Sequence, residues 1–339
     1  MTVRRTRPAR LEDVAREAGV HVSTVSRVLN GSDSLTVRPE TRERILDTAR
    51  RLRYRPNAIA RGLKMASAGA LGLLVPSLRN PVYSAMIRGA FDRAWDEGLV
   101  VLLAEDTGGS RAQQAYESLV EEGRIDGLLI ASARPGNPIL ERFAEQLVPC
   151  VFVNRRHLGS GCNASMLEED AGRTAAEHLI GLGHTRLGHV AGPVVLDTAA
   201  RRMQGFADAA AAAGLEAPAV EEAAFDERGG SDAMASLLGR SPRPTGVFVS
   251  NINQAVGAFA AARALGVGIP QGVSVVGYDE DPLADYMDAP LTTIRMPLWE
   301  LGATAVDALI GQLRGEPARD VVVATLPELV VRASTAPPP

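Results

Sequence analysis

Aromatic residues are scarce, 4% of 339 positions, so the cores of this chain must be mostly Val, Leu, Ile and Ala. Cysteine occurs twice, at Cys150 and Cys162, which gives neither a disulfide framework nor metal-ligand spacing. Cys150 closes an apolar stretch and reads as a buried thiol. No uninterrupted apolar run approaches the length of a membrane span. The first ten residues, MTVRRTRPAR, are basic but lead into Leu-Glu-Asp rather than an apolar segment. That is not a signal peptide, and a cytoplasmic protein without membrane partners is expected. Lysine is nearly missing too: Lys64 stands alone and every other cation is arginine, a compositional habit rather than a mechanism.

Hydrophobic residues make up 46% of the chain, enough for sizeable cores, and the length predicts two or three domains. The net charge of -4 hides a division. Residues 1–65 hold 15 Arg and Lys against 7 Asp and Glu, a balance of +8, which leaves 21 against 33, or -12, for the remainder. A basic headpiece on an acidic body is the electrostatic footprint of a nucleic-acid binder.

The headpiece is organised around Leu11 to Asn30. Leu11, Val14, Ala15 and Ala18 follow helical spacing and Gly19 stands where a helix stops. A second helix starts near Val22 or Ser23, turns Val25, Val28 and Leu29 inward, and shows Ser23, Thr24, Ser26, Arg27 and Asn30 outward. Hydroxyls, an arginine and an amide on one short helix suit a major groove, although an ordinary helical hairpin has the same spacing. After a polar turn, Pro39 and Glu40 open a third helix with Ile45, Ala49 and Leu52 inward, ended by Tyr54-Arg55-Pro56. Asn57 then caps an eight-residue segment to Lys64 that is too short to be stable as an isolated helix.

The stretches DVAREAGV, STVSRVLNGS, ETRERILDTARRLRYRPNAIARGLK and, further on, GLLVP resemble the lactose-repressor/galactose-repressor (LacI–GalR) family of bacterial transcription regulators, and the likeness covers nearly the whole chain. It implies a helix-turn-helix headpiece at 8–56, a hinge helix at 57–66 and a two-lobed type I periplasmic-binding-protein-like effector domain at 68–335. The N-lobe would take about 68–163 and 293–320, the C-lobe about 164–292 and 321–335. It also implies base contacts from Val22, Ser23 and Arg27, and backbone contacts from Thr24, Asn30, Tyr54 and Asn57. Ala60, Leu63 and Lys64 would form a minor-groove hinge, with Leu63 as the wedge that kinks the DNA. The chain departs from the family pattern at Arg10, where a hydroxyl residue is usual before the first helix, and at His21, where serine is common. The turn Gly31–Val37 looks about two residues longer than usual.

From Ala70 onward, apolar runs alternate with amphipathic helices, the grammar of an α/β protein with parallel sheets covered on both faces. Strands are expected at Ala70–Val75, Val100–Ala104, Gly127–Ala131, Pro149–Val153, Arg186–Val190, Gly246–Ser250 and Ser274–Gly277, with a last one at Val321–Ala324. Ligands of such sheets bind beyond the carboxyl ends of the strands. Asn154, Asn251 and Asp279 sit there, and the resemblance adds Arg202 and Tyr83 to make a five-residue effector site. An arginine beside a carboxylate and amides suits a sugar or sugar-like molecule. Asn154 stands where the family often has aspartate, as does Ile252 after Asn251.

No dinucleotide fingerprint, P-loop or nucleophile elbow is present, and His178, His184 and His189 lack a carboxylate cluster, so neither enzyme, cofactor nor metal is expected. The sequence therefore predicts a homodimeric regulator of double-stranded palindromic DNA, controlled by a small polar effector. A purely solute-binding protein is the rival, and the basic headpiece argues against it.

Overall fold

The computed structural model describes residues 9–29, 37–54, 67–106, 118–133 and 148–339. It comprises two compact units, Met1–Ala68 and Gly69–Pro339.

In the first unit, α1 (Leu11–Ala18), α2 (Val22–Leu29) and α3 (Pro39–Arg51) enclose Val14, Ala15, Ala18, Val25, Val28, Ile45 and Ala49. These are the residues whose helical spacing marked them as inward-facing. Gly19 ends α1 in the left-handed conformation, at φ 63°. The usual hydroxyl cap of α1 is replaced by its reciprocal half: the Asp13 carboxylate accepts from the Arg10 backbone N–H at 2.9 Å. Arg44 on α3 donates to the Ala18 carbonyl at 3.0 Å, placing a cation at the negative end of α1.

The second unit holds two six-stranded sheets. The strands are β1 (Ala70–Val75), β2 (Val100–Glu105), β3 (Gly127–Ile130), β4 (Cys150–Val153), β5 (Asn163–Ser165), β6 (Leu187–Ala191), β7 (Ala219–Glu222), β8 (Gly246–Val249), β9 (Ser274–Tyr278), β10 (Thr292–Arg295), β11 (Val321–Val322) and β12 (Glu328–Val330). The first sheet runs β11-β5-β4-β3-β1-β2, with every pair parallel. The second runs β12-β10-β9-β8-β6-β7, parallel except for the β10–β12 pair. Each apolar run expected to be a strand is one.

The strand pairing corrects the expected division of the lobes. β10, placed by the sequence in the N-lobe from 293, pairs with β9 of the second sheet. β11, placed in the C-lobe from 321, pairs with β5 of the first. The chain thus crosses between sheets after β10 and again after β11, each crossing lying after the expected position. The physical reason is that β10 reads Thr-Thr-Ile-Arg and β5 Asn-Ala-Ser. Neither carries an apolar run, so neither announces itself as a buried strand.

Helices pack on these sheets in pairs: α4 (Val82–Asp96) with α9 (Leu298–Leu313), α5 (Glu168–Gly181) with α6 (Asp197–Ala212), and α7 (Glu227–Leu238) with α8 (Ile252–Ala264). In each pair two glycines bring the backbones together. A methyl at Gly172 would lie 2.1 Å from the Arg202 carbonyl, and one at Gly205 would lie 1.9 Å from that of Glu169. Gly89 and Gly302 do the same for α4 and α9, Gly230 and Gly257 for α7 and α8. The α5–α6 crossing sets the distance between Glu168 and Arg202, which matters at the ligand cleft. Among the described residues, no helix is long and apolar enough to cross a membrane.

Candidate nucleic-acid interface and ligand cleft

On α2, Val25 and Val28 are buried, Ser23 and Arg27 are exposed, and Val22 and Thr24 are half-buried. Ser23 and Arg27, four residues apart, share one face and project away from the core. Tyr54 packs its ring on the headpiece core, and burial, followed by the nearby Glu12, raises its phenol above the ordinary value. Asn30, Asn57, Ala60, Leu63 and Lys64 lie outside the described residues.

His21 takes over the cap that serine commonly supplies in the family. Its carbonyl accepts from the amides of Thr24 at 3.0 Å and Val25 at 3.3 Å. Its ring Nδ1 lies 3.3 Å from the Ser23 amide nitrogen and 2.8 Å from Ser23 Oγ. An imidazole lone pair thus fills the place of a hydroxyl oxygen at the start of α2.

In the second unit, loops after the strand ends of both sheets line a cleft of about 680 Å³, including Asn80, Tyr83, Arg155, Leu196, Phe225 and Arg228. That volume is in the range that holds a small molecule. At its floor lies a polar recess of about 20 Å³, room for roughly one water. All five expected effector residues (Tyr83, Asn154, Arg202, Asn251 and Asp279) converge on this recess.

Their chemistry differs from residue to residue. Arg202 is buried; its Nε donates to Glu168 at 2.8 Å, its Nη1 to the Ser250 carbonyl, and its guanidinium lies 3.6 Å from the centre of the Tyr278 ring. Burial opposes its charge, but Glu168, Tyr278 and Asp279 outweigh that and hold it above its ordinary value. The Tyr278 hydroxyl donates to the same Glu168 oxygen at 2.8 Å. Asn251 caps α8: its Oδ1 accepts from the Gln254 amide at 2.7 Å and its Nδ2 donates to the Phe225 carbonyl at 3.3 Å. This asparagine shapes the recess through the backbone it holds.

Asn154 and Asp279 sit at the ends of β4 and β9 with φ of 69° and 77°, two of the three non-glycine residues with positive φ among those described. Their short polar side chains tolerate this conformation, and strained backbone of this kind concentrates at binding sites. Asp279 Oδ1 is buried and finds no hydrogen-bond partner among the described residues. Burial, against the pull of Arg202 and with the push of Glu168, lifts this carboxyl to about 7.

Arg155 escaped the sequence reading. It is buried, lines both cleft and recess, and its Nε and Nη1 have no partner among the described residues. Unpaired buried donors and acceptors are costly, so a ligand that pairs with Arg155 and Asp279 gains what the apo site forgoes. Glu168, fully buried beneath Arg202, was also missed. Its place in Glu168-Glu169-Asp170 looks like ordinary acidic enrichment of a helix start.

His178, His184 and His189 are structural. His189 is buried against Phe248 and Phe206, with Nε2 2.8 Å from Ser250 Oγ, and burial followed by the charge of Arg202 pushes it down to about 3. His184 is buried and bridges Thr245 and the Ala336 carbonyl, while the half-buried His178 meets Thr335. Both fix the C-terminal segment rather than standing at the surface. Among the described residues no His, Cys, Asp and Glu group is arranged to hold a metal.

The profile of the bacterial regulatory proteins of the lacI family matches residues 10–57, and that of the periplasmic binding protein-like domain matches residues 176–335. The ribose operon repressor of Escherichia coli (strain K12) is 33% identical over 96% of this chain and 99% of its own length. The chain belongs to the LacI family. It is also similar to the HTH-type transcriptional regulator MalR of Streptomyces coelicolor, 36% identical over 97% of each chain. The crystal structure of the lac repressor dimer bound to operator and the anti-inducer ONPF matches with a TM-score of 0.85 at 28% identity, covering 97% of this chain and 100% of that one. This LacI-family protein is a DNA-binding transcriptional regulator built from a helix-turn-helix headpiece and a periplasmic-binding-protein-like domain with two parallel-rich sheets.

Proposed function

We propose that this regulator is a repressor and not an enzyme, that it binds a palindromic operator as a homodimer, and that a sugar or sugar-like effector in the cleft controls its occupancy. The observation that carries the DNA reading is the exposed Ser23–Arg27 face of α2 on a headpiece whose charge balance is +8. Val22, Ser23 and Arg27 choose the sequence. An arginine at this place grips guanine through O6 and N7. Thr24, Asn30, Tyr54 and Asn57 hold the phosphates and set register. Ala60, Leu63 and Lys64 belong to hinge segments that pair over the centre of the operator.

The effector reading is supported by Arg155 and Asp279, whose buried polar atoms find no partner among the described residues and lie at a cleft of ligand size. Donors and acceptors side by side suit vicinal hydroxyls. The ribose operon repressor is named for a sugar operon, and the matched lac repressor structure holds an anti-inducer, which is consistent with such a ligand here.

Fluorescence anisotropy with a palindromic duplex carrying a central CG step, against a scrambled duplex, tests the DNA reading across a salt series. Specific affinity is expected to fall steeply with salt, because phosphate contacts release counterions. Equal affinity for the scrambled duplex would overturn it. A thermal-shift screen of sugars, polyols and nucleosides tests the cleft, since a ligand of the native state raises the melting temperature.

A further inference from the structure

We infer that His21 is a positioning residue for sequence choice: it fixes the Ser23 hydroxyl as an acceptor, so that Ser23 reads cytosine or adenine and rejects guanine or thymine. This rests on the assignment of Ser23 as a base contact.

Two distances fix the proton inventory. The Ser23 amide, 3.3 Å from His21 Nδ1, can only donate. Nδ1 must therefore present its lone pair, and the ring proton resides on Nε2. Ser23 Oγ lies 2.8 Å from the same Nδ1. Sharing that single lone pair with the longer amide contact, it is the donor there. A serine hydroxyl has one proton, and the imidazole takes it. Only lone pairs then remain for the groove.

An unconstrained serine reads donors and acceptors alike, because its proton rotates to suit. Pinned by His21, the hydroxyl complements the major-groove amino groups, N4 of cytosine and N6 of adenine. It meets the O6 and N7 of guanine or the O4 of thymine lone pair to lone pair. Both residues are solvent-exposed in the headpiece, so this polarity is presented outward rather than into the core. A serine in place of His21 would cap the helix equally well, but its own hydroxyl can donate as well as accept. The imidazole, held to one tautomer by the Ser23 amide, cannot.

The test is a base-preference profile of the full-length protein on operators selected from random DNA, each base pair then varied in turn. At one position the parent is expected to favour C or A over G or T on the facing strand by about tenfold. Ser23→Ala should flatten that position. His21→Gly removes the ring and, as glycine is nearly neutral at a helix cap, should leave the headpiece folded. It should erase the donor-over-acceptor distinction at that position and no other. His21→Asn, whose Oδ1 accepts both Ser23 donors, should restore it. If Ser23→Ala flattens the position while His21→Gly leaves the profile as it was, the base contact stands and the role of His21 falls. A parent preference for G or T there overturns the role equally. If Ser23→Ala changes no position, the base contact itself is wrong and the inference goes with it.

Discussion

Asp279 carries its charge at a cost that depends on pH. In the fold, burial lifts its carboxyl to about 7 from an ordinary value of 3.8. Between those values an unfolded chain has released a proton that the folded one keeps. Its contribution to stability is therefore complete below about pH 4, declines as pH rises towards 7, and is level above. Asp279→Asn removes that slope. Urea unfolding at pH 8 should find the variant more stable by roughly 2–4 kcal/mol, and at pH 4 within about 1 kcal/mol of the parent. An equal difference at both pH values would mean that Asp279 is ionised throughout. His189 works in the opposite sense: held at about 3 by burial, it makes the fold lose stability as pH falls below the ordinary histidine value of 6.5. The two slopes oppose one another in mildly acidic solution, so only the single variants reveal them. Stability gained in Asp279→Asn is bought with ligand affinity, since an amide cannot replace a carboxylate acceptor.

Helix ends and helix crossings set the next level. Removing the cap of α2 by His21→Ala should lower headpiece stability by about 1 kcal/mol, whereas His21→Asn should leave it nearly unchanged, as read from circular-dichroism melts. A loss shared by both would place the contribution of His21 elsewhere. Gly205→Ala ought to favour a helix by propensity alone, by about 1 kcal/mol. Here the added methyl meets the Glu169 carbonyl at 1.9 Å, so we expect a net loss of roughly 1–3 kcal/mol and a displaced Arg202–Glu168 pair. A stabilised Gly205→Ala would show that α5 and α6 separate at little cost. Elements with strong periodicity were legible in the sequence: α1 to α3 from their inward Val, Ala and Ile, and β1 from Ala-Leu-Gly-Leu-Leu-Val. β5, β10 and β12 were not, because three or four residues with Thr, Ser, Asn or Glu give no period to read. The glycine crossings were hidden for a related reason. A helix glycine shows its purpose only when the partner backbone is known.

At the level of the whole molecule, the division of charge and the two-sheet plan were visible in the sequence. So was the convergence of Asn154, Asn251 and Asp279, because strand ends in parallel sheets point the same way, whereas Tyr83 and Arg202, on helices, came only from the family resemblance. What stayed hidden were the groups defined by neighbours distant in sequence: Glu168 under Arg202 and Tyr278, and Arg155, whose Nε and Nη1 find no partner among the described residues, at the recess. An effector that shifts operator occupancy from almost full to almost none must prefer one protein state by about 10⁴-fold, or 5.5 kcal/mol. Contacts equally good in both states shift nothing. Linkage requires that if the effector changes operator affinity by a given factor, the operator changes effector affinity by that same factor. Arg202 joins α6 of the second lobe to Glu168 and to the Ser250 carbonyl at the end of β8. Arg202→Ala should accordingly abolish both factors together and leave operator affinity without effector within about threefold of the parent, a shift under 1 kcal/mol. Titrating operator with and without effector, and effector with and without operator, measures both sides of the cycle. A variant that keeps its full response would move the coupling away from this recess. One that loses operator binding outright would show that Arg202 supports the regulator's fold rather than its response.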